Sequence, residues 1–576
     1  MGMDRDNMTT DTEPDKATPP RAPSLSKEVP SQETSQEAEL TKKPTKDDPF
    51  GTATAGVDDA DVVYPTGWKV ATIIISLCLS VFLVALDQTI IAPALGAITA
   101  EYKSVKDIGW YGAAYMLTTT ALQPLYGSLY RMFSVKWTFL TAVFLFEIGS
   151  LVCAVAPSSE VFIFGRAIAG VGTAGLFSGG IVVLSYTLPL RKRPAVFGLI
   201  GAMWGIASVA GPLLGGAFTD HLTWRWCFYI NLPIGGAAMV AIFLVLHIEQ
   251  KRDDLTVLQR VLRLDLPGTA MIIPAVVCLL LALQWGGTEH PWNSSVIIGL
   301  FVGFAIMLVV FVAIQIWKGD HGTLPPRLFK NRDVVCAMIF AFFFGAAFFP
   351  LVYYLSLYFQ AVMGDTAVQA GIKLLPMLIA VVITSVLSGG LITLVGYYNP
   401  FILPSMALFA VGSGLITTFS LHSPLRVWFG YQVVAGLGVG VGFQTGALVV
   451  QNNVSHEWIP QATACVQFFQ ALGGAIFIAV AQAVFQNGLT DGIAKSAPQL
   501  DPMIFIRIGA NEIPMVLESM NLSNLLTEVL TAYLGGLRNS FFITVACACA
   551  AFVAAAGLSW KKIQKMNSGE PAVAMA

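Results

Sequence analysis

Asp87, Glu147 and Arg166 are ionisable residues set inside otherwise apolar stretches of this 576-residue chain, and charges in such company invite a chemical reading. A charge in hydrocarbon is expensive unless it lines water or finds a partner. Asp87 lies in LDQTIIAPAL, near the far end of the first apolar run. Arg166 lies about as far inside the fourth run, which must point the opposite way, so the two share a depth. An acid and a guanidinium at one depth suit proton exchange. Asp87 would bind a proton or a cationic substrate, and Arg166 would keep it ionised until substrate or water intervenes. The plainer alternative is a static ion pair that only orients two helices. Glu147, midway along the third run, reads either as a second proton carrier or as a structural carboxylate.

The second half of the chain offers neutral polar groups instead. Tyr353, Tyr354, Tyr358 and Gln360 cluster in the ninth apolar run, Gln432 and Gln444 mark the twelfth, and Gln467 and Gln470 the thirteenth. Amides and phenols among many Phe and Met side chains suit a large, weakly polar organic solute better than an ion or a sugar. Gln88, Tyr354, Tyr358, Gln432, Gln444, Gln467 and Gln470 are the candidate substrate contacts.

The elements that must position these residues are membrane-spanning helices. The chain is 55% hydrophobic and 12% charged, about half the charge share of a soluble domain. Apolar runs fall at 68–92, 109–129, 137–156, 161–187, 194–217, 226–247, 267–285, 295–317, 333–360, 369–393, 400–420, 427–450, 461–486 and 539–559. Each is near the ~20 residues needed to cross ~30 Å of hydrocarbon, giving about fourteen helices. Residues 1–66 are rich in Thr, Pro, Ser, Lys and Glu and read as a disordered tail. Lys and Arg concentrate in alternate short loops (Arg131 and Lys136; Arg191 to Arg193; Lys251 to Arg263; Lys318 to Arg332; Lys561 to Lys565), which predicts that this side and both termini are cytoplasmic. The sequons at Asn293 and Asn521 then fall outside, as candidate glycosylation sites, and those at Asn7 and Asn453 inside. No nucleotide-binding P-loop occurs, no cysteine spacing suits zinc, and no basic patch tracks phosphates, so ATP, metal and nucleic acid are not expected. The eight cysteines read as packing residues.

Two glycine patterns organise the helices. In GAMWGIASVAGPLLGG, residues 201–216, small residues recur at three- and four-residue steps and leave a bare stripe along one helix. Pro212 adds a bend. Gly205, Gly211, Pro212, Gly215 and Gly216 are expected to seal the outer half of the molecule against its repeat partner. The second pattern is the repeat itself. Arg166, Ala169, Gly170 and Gly172 recur as Gln432, Ala435, Gly436 and Gly438, every pair 266 positions apart. Six helices, two extra, then six follow from that register. The boundaries are a tail at 1–66, a bundle at 67–248, an insert at 249–320, a second bundle at 321–560 with an outer loop at 487–538, and a tail at 561–576.

Several motifs together resemble the fourteen-helix drug:proton antiporter branch of the major facilitator superfamily. They are LDQTIIAPAL (86–95), RAIAGVGTAG (166–175), the glycine-proline signature at 205–216, and WRWCFYINLPIGG (224–236). The stretch 353–376 looks like fungal members, many of which export secondary metabolites and toxins. One departure is the loop after the second helix, GSLYRMFSVKW, where Arg131 stands in place of the usual acid. This puts the charge latch of the inward gate in doubt.

The resemblance implies an all-α major facilitator fold and a proton-coupled exporter of a hydrophobic small molecule. The expected partners are that molecule and the bilayer. The chain is expected to be monomeric, to have no cofactor but the proton gradient and no enzymatic activity, and to sit in the cell membrane or, alternatively, the vacuolar membrane. An uptake carrier like the fourteen-span siderophore importers shares the architecture, because fold does not fix direction. A non-transporting sensor is the remaining alternative.

Overall fold

The computed structural model describes residues 65–104, 107–248, 256–287, 289–507 and 512–563. The expected N-terminal tail, apart from its last two residues, lies outside these, as do Asn7, Lys251, Arg252 and Lys565.

With no water in hydrocarbon to satisfy backbone groups, a spanning segment must bond its own backbone, and every long apolar run here is helical. Fourteen long helices are described: α1 (Trp68–Tyr102), α2 (Ile108–Met132), α3 (Val135–Val155), α4 (Ser159–Thr187), α5 (Arg193–His221), α6 (Trp226–Val245), α7 (Leu266–Trp285), α8 (Ser295–Lys318), α9 (Arg332–Ala361), α10 (Leu375–Val395), α11 (Asn399–Ile416), α12 (Leu425–Asn453), α13 (Ile459–Ser496) and α14 (Leu526–Ala556). Thirteen are long and apolar enough to cross a membrane; α2, with Thr118, Thr119, Thr120 and Gln123, is the more polar exception. Local signals set several starts. The side chains of Ser158, Asp265, Ser294 and Asn331 each accept a backbone N–H from the first turn of α4, α7, α8 and α9.

Helices α1–α6 and α9–α14 form two bundles, each with one helix, α4 or α12, enclosed on nearly all sides. The bundles meet along α5 against α10 and α2 against α13. The α7–α8 hairpin stands outside them. Its α8 is the most exposed helix, with Ile306, Val309 and Ile316 facing outward, while α7 packs on α2 and α13. The basic loops collect at one end, termed the basic end. There Arg131 donates to the Asp320 carbonyl, Arg191 to that of Thr393, Arg193 to Gln451 and Lys561 to Asn453.

The last outer loop is shorter than expected. Helix α13 continues to Ser496 and α14 begins at Leu526. The two extensions hold each other, because Gly488 lets Gly536 approach and Gly492 lets Ala532 approach. Short helices at Pro502–Arg507 and Ile513–Ser519 fill the connection. Asn293 and Asn521 are both exposed, at the end opposite the basic one.

Candidate functional site

Asp87 and Arg166, 79 residues apart in sequence, meet inside the first bundle. Arg166 Nη1 donates to Asp87 Oδ2 at 2.5 Å, and both side chains are sealed from solvent. Arg166 Nε donates to the carbonyl of Tyr111 at 2.9 Å, and the Tyr115 ring covers the guanidinium at 4.3 Å. The other Asp87 oxygen accepts from the Asn231 amide at 3.2 Å, which also donates to Ser150 at 3.1 Å. The acid is thus held by α4 and α6 together. Glu147 lies nearby on α3, buried, with neither carboxyl oxygen hydrogen-bonded. Gly235 on α6 leaves the space that its carboxyl fills. Burying an unpartnered carboxylate is costly, so this acid sits where charge is uncompensated.

A cavity of about 450 Å³ lies next to this cluster, between the bundles. Gln88, the neighbour of Asp87, lines it, and so does Thr173, whose hydroxyl is 2.7 Å from that of Tyr115. Thr173 and Tyr115 therefore stand between the cavity and the guanidinium, which the Tyr115 ring covers. The walls are mainly apolar and aromatic, with Met116, Phe177, Trp204, Phe349 and Phe443. Trp204 packs its ring against Phe443 at 5.5 Å, joining α5 to α12. Among the lining amides, Gln123 Oε1 and Gln467 Nε2 are buried and without hydrogen-bond partners, an acceptor from one bundle and a donor from the other. Unsatisfied groups of this kind in an apolar pocket are what fix a weakly polar ligand's orientation.

Of the residues proposed from sequence as substrate contacts, Gln88, Gln467 and Gln470 line this cavity. Tyr354, Tyr358, Gln432 and Gln444 do not. Tyr354 donates to the carbonyl of Ile478 at 3.3 Å, Tyr358 to that of Ser420, in the loop after α11, at 2.7 Å and Gln432 to that of Lys373 at 2.9 Å, so each ties segments of the second bundle together. Gln444 faces a small separate gap beside Phe197 and Ser388. Their phenols and amides looked alike in sequence; the direction in which each side chain points decides between them. Asn231, Gly235, Tyr115, Thr173 and Gln123 were missed as participants. The available signal was an Asn within the sixth apolar run and a Gln following three threonines in the second.

The glycine stripe divides its work differently from the expectation. Cβ atoms at Gly211 and Gly215 would run into Thr89 and Ile90 of α1, within the same bundle. Only Gly205, Pro212 and Gly216 of the signature face the second bundle, at Val382, Gly371 and Val368. Nearer the basic end the bundles approach backbone to backbone, where Gly198 meets the Ser385 backbone and Gly389 meets that of Pro194. The physical reason is helical rotation: a stripe at mixed three- and four-residue steps turns from one neighbour to another along a helix.

At the basic end the bundles are latched. Arg131 donates to Glu457 at 2.5 Å, to Gln461 Oε1 at 3.0 Å and to the carbonyl of Asp320 at 3.1 Å, with Trp458 stacked under it at 3.7 Å. Arg193 donates to Gln451 Oε1 at 3.1 Å. A charge latch is therefore present despite the unusual loop, with the cation on the first bundle and the acid on the second.

Comparison with known proteins gives the same architecture. The sequence pattern of the Major Facilitator Superfamily matches residues 77–478. An MFS-type efflux pump, MFS1, of Arthroderma benhamiae is 46% identical over 519 residues, covering 90% of this chain and 96% of the relative. Efflux pump aflT of Aspergillus parasiticus is 43% identical over 503 residues, 87% of this chain and 97% of the relative. The rubrofusarin-specific efflux pump aurT of Gibberella zeae is 43% identical over 501 residues, 87% and 91% respectively. Among solved structures, the proton:xylose symporter XylE superimposes with a TM-score of 0.52 at 14% identity, covering 86% of this chain and 98% of that one. The human organic anion transporter MFSD10 does so at 0.51 and 14%, covering 82% and 99%. At such identities these structures speak to the fold alone.

Proposed function

This chain belongs to the major facilitator superfamily, and from that premise we propose that it is a proton-coupled exporter of an uncharged, largely aromatic small molecule, of the secondary-metabolite or toxin class. The observation that carries the reading is the cavity beside a sealed Asp87–Arg166 pair, 2.5 Å apart. Cargo would occupy the aromatic walls and engage Gln123 and Gln467. Asp87 would exchange a proton when cargo or water opens a path past Thr173 and Tyr115. Glu147 is a second proton acceptor in this scheme, and the chain's own chemistry requires no cofactor and no covalent step.

The basic end is the cytoplasmic one, and the latch around Arg131 closes it while the cavity extends toward Gly109, Gln284 and Gln482 at the other end. The protein would act as a monomer in the cell membrane, with Asn293 and Asn521 open to glycosylation outside. A proton entering across ~100 mV and one pH unit releases roughly 3–4 kcal/mol, enough to sustain a cargo gradient of about two to three decades. Transport by purified protein in sealed, inside-out vesicles tests the direction. An acidic lumen should drive Nile red, an uncharged lipophilic arene, into the lumen. Accumulation only with an alkaline lumen would identify an uptake carrier, and no gradient-dependent movement would leave a binding protein.

A further inference from the structure

The α7–α8 hairpin lies outside both bundles, yet one stripe of α7 reaches the cavity. Leu280, Leu283 and Gln284, at i, i+3 and i+4, form part of its lining between α2 and α13. The end of α7 is pinned there. Gln284 Nε2 donates to the carbonyl of Gly109 at 3.2 Å, and Trp285 packs edge-on against Trp110 at 6.0 Å. Gly287 then turns the chain away at φ +76, close under Trp292. An amide on the outer half of a spanning helix is unfavourable in hydrocarbon, and at the cavity edge Gln284 finds a polar partner in the Gly109 carbonyl. The other end of the hairpin is equally fixed. Asp265, buried, accepts from Gln315 at 2.6 Å and from the Thr323 backbone at 3.1 Å, with Lys318 at 3.4 Å. A hairpin serving only as a lipid-facing buttress would need neither the lining stripe nor the polar pin.

We infer that the two-helix insert supplies a third wall of the cargo site, and that Leu283, with Leu280 and Gln284, helps determine which molecules are accepted. The inference rests on the export reading only for calling the ligand cargo, so it is tested by binding, not by movement. In purified full-length protein, Nile red binding is followed by fluorescence. Leu283→Trp should weaken it about tenfold, as expected for filling an apolar pocket, whereas Leu281→Trp, one residue off the lining, should leave it unchanged. A thiol introduced by Leu283→Cys should react with a charged aqueous methanethiosulfonate, read by peptide mass spectrometry, and saturating Nile red should slow that reaction. Unaltered dye affinity in Leu283→Trp, or labelling of the Leu283→Cys thiol that is absent or insensitive to dye, would overturn the inference. Binding that follows this pattern beside vesicle data showing uptake would overturn the export direction and leave the third wall standing.

Discussion

In the first bundle a Cβ at Gly149 would strike the backbone of Ala169 and one at Gly172 that of Phe146; in the second, Gly412 stands so against Ala435 and Gly438 against Phe409. The repeat extends to a hydrogen bond. Arg166 Nε donates to the carbonyl of Tyr111 and Gln432 Nε2 to that of Lys373, both at 2.9 Å. There the likeness ends. Arg166 also grips Asp87, whereas α9 carries no acid from Val334 to Ala361, and Gln432 has only a backbone to hold. One scaffold has thus been used twice, with ionisable groups in one copy and neutral amides in the other. In the function proposed above, the difference would give proton handling to the first bundle, while Phe349, Phe443 and Gln467 of the second would contribute to holding cargo.

The comparison breaks most visibly if the charges are exchanged. Arg166→Gln copies the second bundle into the first and strands Asp87 as a buried anion, which should cost about 3–5 kcal/mol of stability, seen as a lowered thermal midpoint in detergent. Adding Asp87→Asn should restore most of it. A neutral outcome for Arg166→Gln alone would mean the pair is not what distinguishes the bundles. Next in size are the glycines. Gly211→Leu should destabilise by roughly 1–3 kcal/mol or abolish folding, because Thr89 and the Ile90 backbone of the same bundle cannot give way. Gly205→Leu meets chiefly the Val382 side chain across the interface, with the Leu378 carbonyl at ordinary contact distance, so it should fold and slow transport instead. Export rates corrected for surface expression separate the two.

Gln123→Leu and Gln467→Leu sharpen the division of labour. Gln467→Leu should weaken binding of a carbonyl-bearing arene, whose oxygen would accept from its amide, and Gln123→Leu that of a phenol, whose O–H would donate to its Oε1, each by about five- to tenfold, a net hydrogen bond of roughly 1–1.5 kcal/mol, with little change for a plain hydrocarbon dye. Titration of the purified variants measures this. The smallest effect belongs to Arg131→Ala. Glu457 is 65% exposed, so the lost pair should change stability by no more than about 1 kcal/mol. The latch should nonetheless open more often, raising thiol labelling of Ser128→Cys, a near-isosteric change at the buried serine that accepts from Gln461 across the interface.

Much of this was legible in the sequence, for definite reasons. Helix count and the repeat follow from hydropathy and glycine spacing, which the backbone itself enforces. Asp87 and Arg166 could be paired because depth along antiparallel helices is set by counting residues. Side-chain direction is another matter. Tyr354 and Tyr358 turn into the bundle and Gln123 turns into the cavity, and helix rotation about its axis leaves little trace when apolar residues cover every face. The bare face of α5 was visible, but not that it turns from α1 to α10 along its length. The latch was obscured because its charges have changed sides, Arg131 lying in one loop and Glu457 more than three hundred residues on.

The claim that Asp87 carries the coupling proton is tested most directly with Asp87→Asn in sealed vesicles. At normal expression and unchanged Nile red affinity, the variant should still equilibrate dye down its gradient, but an imposed pH difference should no longer drive accumulation. Accumulation that still follows the pH difference would contradict the account and move the proton to another group, with Glu147 the first to examine.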